Sequence, residues 1–588
     1  METSRRFNTE TLLFFLAFAL AVVLRLMHLG NLPLSDREAA LALQAWQAGQ
    51  GLHPILGPEP GYVALTAALF FLFGSSDVLA RLVPVFAGSA LVLVPWILRE
   101  RLPGRSALYL AFIFALEPGL LALSRTAGSV MLAVSLTLLA IALWFTRRPR
   151  WGGAFGGLAL LSGPALVPGL LGLGLAILMN GGRFWDEAAP PDDDGSPQGS
   201  PASNAFKGAG EPSEDSPGTA REDALAALGV GVGVFVFAGS LLFLLPRGLG
   251  AAFSALPAYL RGWVSFPDVP LSRLLIALVV YQAFGIIFAL VGLVSGRSTR
   301  SRLASGLGFW FLTALVLALV YPSRQVADLA WALIPLWTLA AIGLDRALDF
   351  SRENPWETAG LAALTLTLLG FAYLNFDNLA LLAVPPQDAG VRWAFIGGTI
   401  VMLGAVIALV ALGWSADIAK RGAVWGIVIA LGLYTLSAAF GAAGLKAQPT
   451  RELWQDSPVV FDADLLSMTL DELSVTSRGA ADSLPVTVYG VESPALMWVL
   501  RDWSLEQTAA PSLDSSSPLI IGPDQADASF GAAYRGQDFI WRLYPAWDGP
   551  KPYEWLRWIA NRDMPAGQEK IILWARTDLF PDSQDASP

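Results

Sequence analysis

Apolar residues along most of this chain come in long runs rather than in alternation with polar ones. A helix needs about 20 such residues to cross a bilayer. The pattern predicts spans near residues 11–29, 79–98, 106–123, 128–146, 224–245, 271–295, 304–321, 329–344, 357–374, 393–413 and 423–444. Two stretches differ. Residues 61–74 are short and end at Gly-Ser-Ser-Asp, which predicts an interfacial or re-entrant helix on the outer side. Residues 152–180 are broken by SGPALVPG, which predicts two half-helices entering and leaving on one face. Such breaks survive at membrane depth where the freed backbone is buried in protein. Residues 183–222 are rich in Pro, Ser, Gly, Asp and Glu, cannot bury enough apolar surface to order themselves, and predict a disordered cytoplasmic linker. From about residue 451 strand-like runs (VTVYG, PLIIG, FIWRLY, KIILWAR) alternate with helix-like ones (SPALMWVLRDW, PYEWLRWIANR), which predicts a small α/β domain.

Basic loops orient the spans. Arg5 and Arg6, RERLPGR (99–105), RRPR (147–150), GRSTRSR (296–302) and AKRG (419–422) all fall on one side if 61–74 does not span. Placing that side in the cytoplasm puts residues 30–57 and the C-terminal domain outside. No small-residue cleavage site follows residues 11–29, so they read as a retained helix rather than a signal peptide. The predicted architecture is an α-helical polytopic membrane protein with about 11–13 transmembrane segments and a small extracytoplasmic α/β domain. Its parts are a membrane module (1–182) with an outer loop at 30–78, the linker (183–222), further membrane helices (223–445) and the outer domain (451–588).

Composition adds exclusions. Charged residues make up 15% of the chain, against about 25% in soluble domains. There is no cysteine, hence no disulfide or thiol chemistry, and two histidines are too few for a histidine-rich metal site. The net charge of −10 comes from acids outside the spans, and nothing points to nucleic acid. The first outer loop concentrates the chemistry: Asp36, Arg37 and Glu38, with His53 further on. Ser35-Asp36-Arg37-Glu38 also reads as the capped start of a helix. Arg81, Arg125 and Arg324 lie at outer helix ends, where an ionisable group is either functional or snorkels to the interface. Arg81 reads as a structural partner of Asp77. Trp498, Trp503, Trp541, Trp547, Trp555, Trp558 and Trp574 in the C-terminal region read as a core and membrane-facing rim, or as a carbohydrate platform.

One early span, an acidic outer loop, a short outer helix and an arginine-flanked span together resemble the GT-C superfamily of polyprenyl-phosphate-sugar-dependent glycosyltransferases. The nearest branch is the family 39, protein-mannosyltransferase-like group with its flippase-associated, dolichyl-phosphate-mannose-dependent relatives. The matching stretches are PLSDREAALALQA (33–45), LFGSSDVLARLVPVFAGSALVLVPWILR (72–99), ALEPGLLALSRTA (115–127), ALMWVLRDW (495–503) and YRGQDF (534–539). The resemblance implies a hexosyltransferase that uses a polyprenyl-phosphate-linked sugar and a glycan, protein or lipid acceptor in the cell envelope. Asp36 is its implied base, since a carboxylate is a modest base tunable by its surroundings, with Glu38 assisting. Arg37, Arg125 and Arg324 would meet the phosphate through guanidinium forks, and His53 and Glu59 would contact substrate. The chain departs from the pattern. Relatives usually carry Asp-Glu where this loop has Asp-Arg-Glu, and an acid after helix 3 where Gly128, Ser129 and Val130 stand; their His-x-Pro stretch appears only as GPEPGY (57–62). No cofactor is implied beyond a divalent metal, which the missing acid puts in question. Two other readings remain: a non-catalytic binder or flippase-associated relative, and, less well supported, a transporter, because only one broken segment is evident where transporters pair them.

Overall fold

The computed structural model describes residues 9–182 and 217–580, apart from 242, 244–245, 268, 299–300, 349–353, 381–385, 447–450, 456–457, 510–516, 525–529 and 548. Helix α1 (Thr9–Leu26) leads into a loop that carries α2 (Asp36–Gly49) and α3 (Pro60–Phe73). Next come α4 (Asp77–Leu91) with α5 (Leu93–Ile97), α6 (Ser106–Leu116), α7 (Pro118–Ser124) and α8 (Val130–Phe145). Helices α9 (Pro149–Ala159) and α10 (Leu166–Met179) flank a 3-10 turn at Leu160–Ala165. The membrane part is completed by α11 (Pro217–Gly239), α12 (Arg247–Phe253), α13 (Ala255–Gly262), α14 (Leu271–Ser298), α15 (Arg302–Val320), α16 (Ala330–Ala347), α17 (Pro355–Ala380), α18 (Pro386–Gly413) and α19 (Ala416–Ala442). Among the described residues ten helical segments are long and apolar enough to cross a membrane when the broken stretch Pro149–Met179 is counted as one, or eleven if the bent pair α6–α7 is one span. The chain is a multi-pass membrane protein.

Several expectations change. The sequence count runs higher because it takes 128–146 as a span, whereas α8 has 16 residues. Residues 183–216 of the expected linker lie outside the described residues, and Pro217–Glu222 are the first turns of α11. The short pair α12–α13 is too brief and too interrupted by glycine and proline to show as periodicity.

The broken segment is a hairpin. Beside α10's end, Asn180 Nδ2 donates to the Arg302 carbonyl at 3.1 Å, and Arg101 Nη2 donates to Phe145 O at 3.0 Å near α9's start. The first arm therefore starts, and the second ends, at the arginine-rich end of the bundle. At the break Gly163 has φ +77° and ψ −153°, a backbone region open to glycine alone. A Cβ there would lie 2.3 Å from the Pro58 carbonyl oxygen. Trp331 Nε1 donates to the Ala165 carbonyl at 2.8 Å, so protein satisfies the opened backbone.

A second break, absent from the hydropathy pattern, sits inside the expected helix 106–123: α6 and α7 meet at 53°. Two buried charges stabilise it. Arg25, on α1, donates from Nη2 to Phe114 O (3.0 Å) and from Nη1 to Ala115 O (3.4 Å), carbonyls that end α6. The Glu117 carboxylate accepts from Gly119 N (3.0 Å) and Leu120 N (2.5 Å), which start α7, and from Gln282 Nε2 (2.6 Å). Cation at the C-terminal half-helix and anion at the N-terminal one match both dipoles.

Beyond α19 the chain forms a six-stranded sheet with strand order β1-β5-β6-β4-β2-β3. The strands are β1 (Val459–Val460), β2 (Val486–Tyr489), β3 (Leu505–Thr508), β4 (Leu519–Pro523), β5 (Tyr534–Pro545) and β6 (Ala566–Arg576). β2 runs parallel to β3 and β4, and the other pairs are antiparallel. Helices α20 (Ala463–Arg478), α21 (Pro494–Val499) and α22 (Pro552–Asn561) complete the domain. Its tryptophans make a core rather than a carbohydrate platform. Trp498, Trp541 and Trp558 are almost fully buried; Trp547 and Trp555 stack with ring centroids 6.0 Å apart, and Trp558 meets both edge-on at 5.7 and 5.6 Å.

Replacing Glu117 with alanine strands two helix-starting N–H groups and the Gln282 amide in an apolar interior. Stability in detergent should fall by about 2–3 kcal/mol, read as a lowered thermal midpoint, and Glu117→Gln should recover part of the loss.

Candidate active site at the first outer loop

Ser35 is the N-cap of α2: its hydroxyl accepts from Glu38 N at 3.4 Å, and Glu38 accepts from Ser35 N at 3.0 Å. The capping box expected from the sequence is therefore built, and it aims the Glu38 carboxylate inward, where that group is 6% exposed. There Arg81 grips it with two bonds, Nε to Oε1 at 2.8 Å and Nη2 to Oε2 at 2.9 Å, and Ala127 N donates to Oε1 at 2.8 Å. Burial raises the carboxyl's pKa, but the charge and hydrogen bonds of Arg81 with the N–H groups of Ala127 and Ser35 outweigh it and hold it below its ordinary value. The other Arg81 donors go to the carbonyls of Leu29 (3.1 Å), Leu32 (2.7 Å) and Pro33 (3.1 Å). The expected Arg81–Asp77 bond is replaced by this pair. Asp77 instead accepts from Trp498 Nε1 of the C-terminal domain at 2.7 Å.

Asp36 faces the other way. One oxygen accepts from Ser493 Oγ (2.6 Å) and Ala495 N (3.1 Å), and the other pairs with Arg542 Nε at 2.7 Å. Arg542 also meets Glu569 at 3.1 Å and donates to the Glu492 carbonyl at 2.7 Å. Asp36 thus docks the C-terminal domain and does not line the neighbouring cavity. None of its partners was legible in the sequence, since they lie more than 450 positions away and carry no motif.

That cavity has a volume of about 140 Å³. It lies between the first loop, the turn at 125–130, the end of α19 and the start of the C-terminal domain. Arg37 and Glu59 line it. Glu59 accepts from Ser129 Oγ at 2.7 Å, and Ser129 is 1% exposed. Ser129 stands in the turn where the sequence lacks an acid, so the nearby carboxylate comes instead from the residues before α3.

The other candidate arginines serve the backbone. Arg125 also borders the cavity, but it donates to five carbonyls: Ala443 (2.8 Å), Leu24 (3.0 Å), Arg25 (2.9 Å), Met27 (2.7 Å) and His28 (3.2 Å). Burial, and then the Arg81 charge, lower its pKa to about 10. Arg324 lies outside the cavity and donates to the carbonyls of Val269 (2.9 Å), Leu319 (3.4 Å) and Tyr321 (3.4 Å) at the end of α15. His53 is exposed on the loop away from the cavity. Among the described residues no three His, Asp or Glu side chains converge as a metal site requires. With Glu38 bound to Arg81 and Glu59 to Ser129, the cavity does not fit a divalent ion.

The fold resembles that of ArnT. The crystal structure of ArnT from Cupriavidus metallidurans bound to undecaprenyl phosphate superposes with a TM-score of 0.53 at 15% identity, covering 96% of this chain and 98% of that one. The apo ArnT structure gives 0.52 at the same identity and coverage. No protein-family model and no curated protein matches the chain. The agreement spans the membrane helices and the C-terminal domain together, so the chain has an ArnT-like fold.

Two predictions follow from the pairs. Arg81→Met leaves Glu38 buried and uncompensated and should cost about 3–5 kcal/mol, measured by thermal unfolding. Glu38 is held below its ordinary carboxyl value, so its contribution is present above that value and lost as the pH falls through its folded one. Asp36→Asn, Arg542→Gln and the double variant should show a coupling of about 1.5–3 kcal/mol, read as proteolytic release of the C-terminal domain.

Proposed function

We propose that the chain is an inverting glycosyltransferase that moves a sugar from a polyprenyl-phosphate donor to a cell-envelope glycan, protein or lipid. The observation that carries this reading is the full-length likeness to a protein solved with undecaprenyl phosphate, together with a polar cavity at the end of the bundle opposite the arginine-rich loops. The positive-inside bias supports a cytoplasmic side for those loops, and with it an outer-face position for the cavity and the C-terminal domain. We assign the activity to the family 39, mannosyltransferase-like branch on the loop motifs.

In this reading the acceptor hydroxyl attacks the sugar's anomeric carbon, the carbon–phosphate oxygen bond breaks, and the polyprenyl phosphate departs with the electron pair. Arg37 meets the phosphate. The acceptor proton passes to a carboxylate, and Glu59 is the base, because it lines the cavity and accepts from the neutral Ser129 hydroxyl. Asp36 and Glu38, the carboxylates singled out by the motif, hold the domain and the loop around the cavity. Releasing Asp36 as a base would require breaking its pair with Arg542.

A second reading is that of a binder without turnover. It draws on the same two ion pairs, which leave both loop carboxylates neutralised. Purified protein incubated with a panel of radiolabelled polyprenyl-phosphate sugars, with and without divalent metal, separates the two. The transferase reading expects release of sugar from the lipid, and Glu59→Gln should lower kcat about 10²–10⁴-fold with donor binding unchanged. Asp36→Asn should keep turnover in protein whose domain remains docked. Tight donor binding with no release by the unmodified protein would establish the binder instead.

A further inference from the structure

A second, larger cavity lies in the half of the bundle nearest the arginine-rich loops. Its volume is about 810 Å³, inside the range of about 300–1,000 Å³ common to ligand sites. Leu110, Phe114, Leu138, Gly156, Leu173 and Phe235 are among its lining residues, nearly all of which are apolar. It exists because neighbouring helices pair off on either side of it. Helix α11 sits tightly on α9: a Cβ on Gly153 or Gly157 would lie 2.0 or 2.3 Å from the carbonyl oxygens of Ala227 and Gly231. Helix α10 packs instead on α15, where Thr313 Oγ1 donates to the Gly172 carbonyl at 2.8 Å. The space left between the pairs is bordered by Leu170, Leu228 and Val232, which are themselves exposed to the bilayer. Apolar cavities do not hold water, so a cavity open to hydrocarbon takes a hydrocarbon chain.

The mouth is charged. Leu98, Leu102, Phe145 and Leu303 line the end of the cavity, and beside them in the chain stand the exposed Arg99, Arg101, Arg147, Arg148 and Arg302. The Arg101 guanidinium lies 5.1 Å over the Phe145 ring and donates to its carbonyl at 3.0 Å. Glu100 is the exposed carboxylate among these arginines, and Asp345 accepts from Arg105 N. The rim is therefore cationic.

We propose that this cavity binds an acyl chain of an anionic glycerophospholipid from the leaflet at the arginine-rich end, with the lipid's phosphate on the arginine rim. The site is separate from the first-loop cavity and does not depend on the transferase reading.

The test is photo-crosslinking in nanodiscs with phosphatidylglycerol bearing a diazirine in its acyl chain, with a phosphatidylcholine probe of the same chain beside it. Labels are mapped by mass spectrometry. Phosphatidylglycerol should label Leu138, Leu173 and Phe235, and Arg99→Gln with Arg101→Gln should reduce that labelling about tenfold. Gly156→Phe should abolish it: an added Cβ there meets only Ala140 Cβ at 3.9 Å, so the ring enters the cavity without displacing backbone. Unchanged thermal midpoints show that both variants fold. Equal labelling by the two probes, or labels confined to outward residues such as Leu178 and Leu225 and indifferent to Gly156→Phe, would overturn the proposal.

Discussion

The Arg81–Glu38 pair is the interaction on which the outer end of the molecule depends. Both side chains are buried, and removing either would leave a charge in a low-dielectric interior. Each also does a second job. Glu38 closes the capping box that starts α2 and accepts the N–H of Ala127, while Arg81 gathers the carbonyls of Leu29, Leu32 and Pro33. One ion pair thereby fixes the first loop against α4 and against the turn after α7. That arrangement shapes the cavity and sets the direction of Asp36 one turn-start away.

The same constraint explains the buried Arg25 and Arg125 and the half-buried Arg324. Inside an apolar bundle every broken helix end leaves carbonyls that water cannot reach. Arg25 serves α6, Arg125 serves α1 and α19, and Arg324 serves α15. A guanidinium carries five donors in a fixed plane and suits a cluster of carbonyls as well as it suits a phosphate. Arginines that the topology placed at the outer boundary for phosphate binding are for the most part committed to backbone. Arg37 lines the cavity.

The C-terminal domain is part of the site's frame. Asp36 holds Ser493, Ala495 and Arg542, and Asp77 holds Trp498. Arg501 stacks 4.2 Å over Trp498 and donates to Ser75, so the contact continues along the loop before α4. At the other edge Arg562 lies between the rings of Tyr281 and Trp558, 4.8 and 4.6 Å from their centroids, near Glu452. The domain is fastened by charged and aromatic contacts that close the cavity from one side.

Runs of apolar residues, glycine–proline breaks and clustered arginines are local properties. They were sufficient to determine the membrane class, most span positions and the break within 149–179. Alternation was sufficient for the main strands of the C-terminal domain, and Ser35-x-x-Glu38 for the cap on α2. The break at Glu117 was hidden because its cause is a charge on α1, 92 positions earlier, and hydropathy averages over a single buried carboxylate. The roles of Asp36, Arg125 and Arg324 were hidden for a related reason. A motif states which side chain is present, and only the tertiary structure decides whether a carbonyl, a distant arginine or a cavity is within its reach.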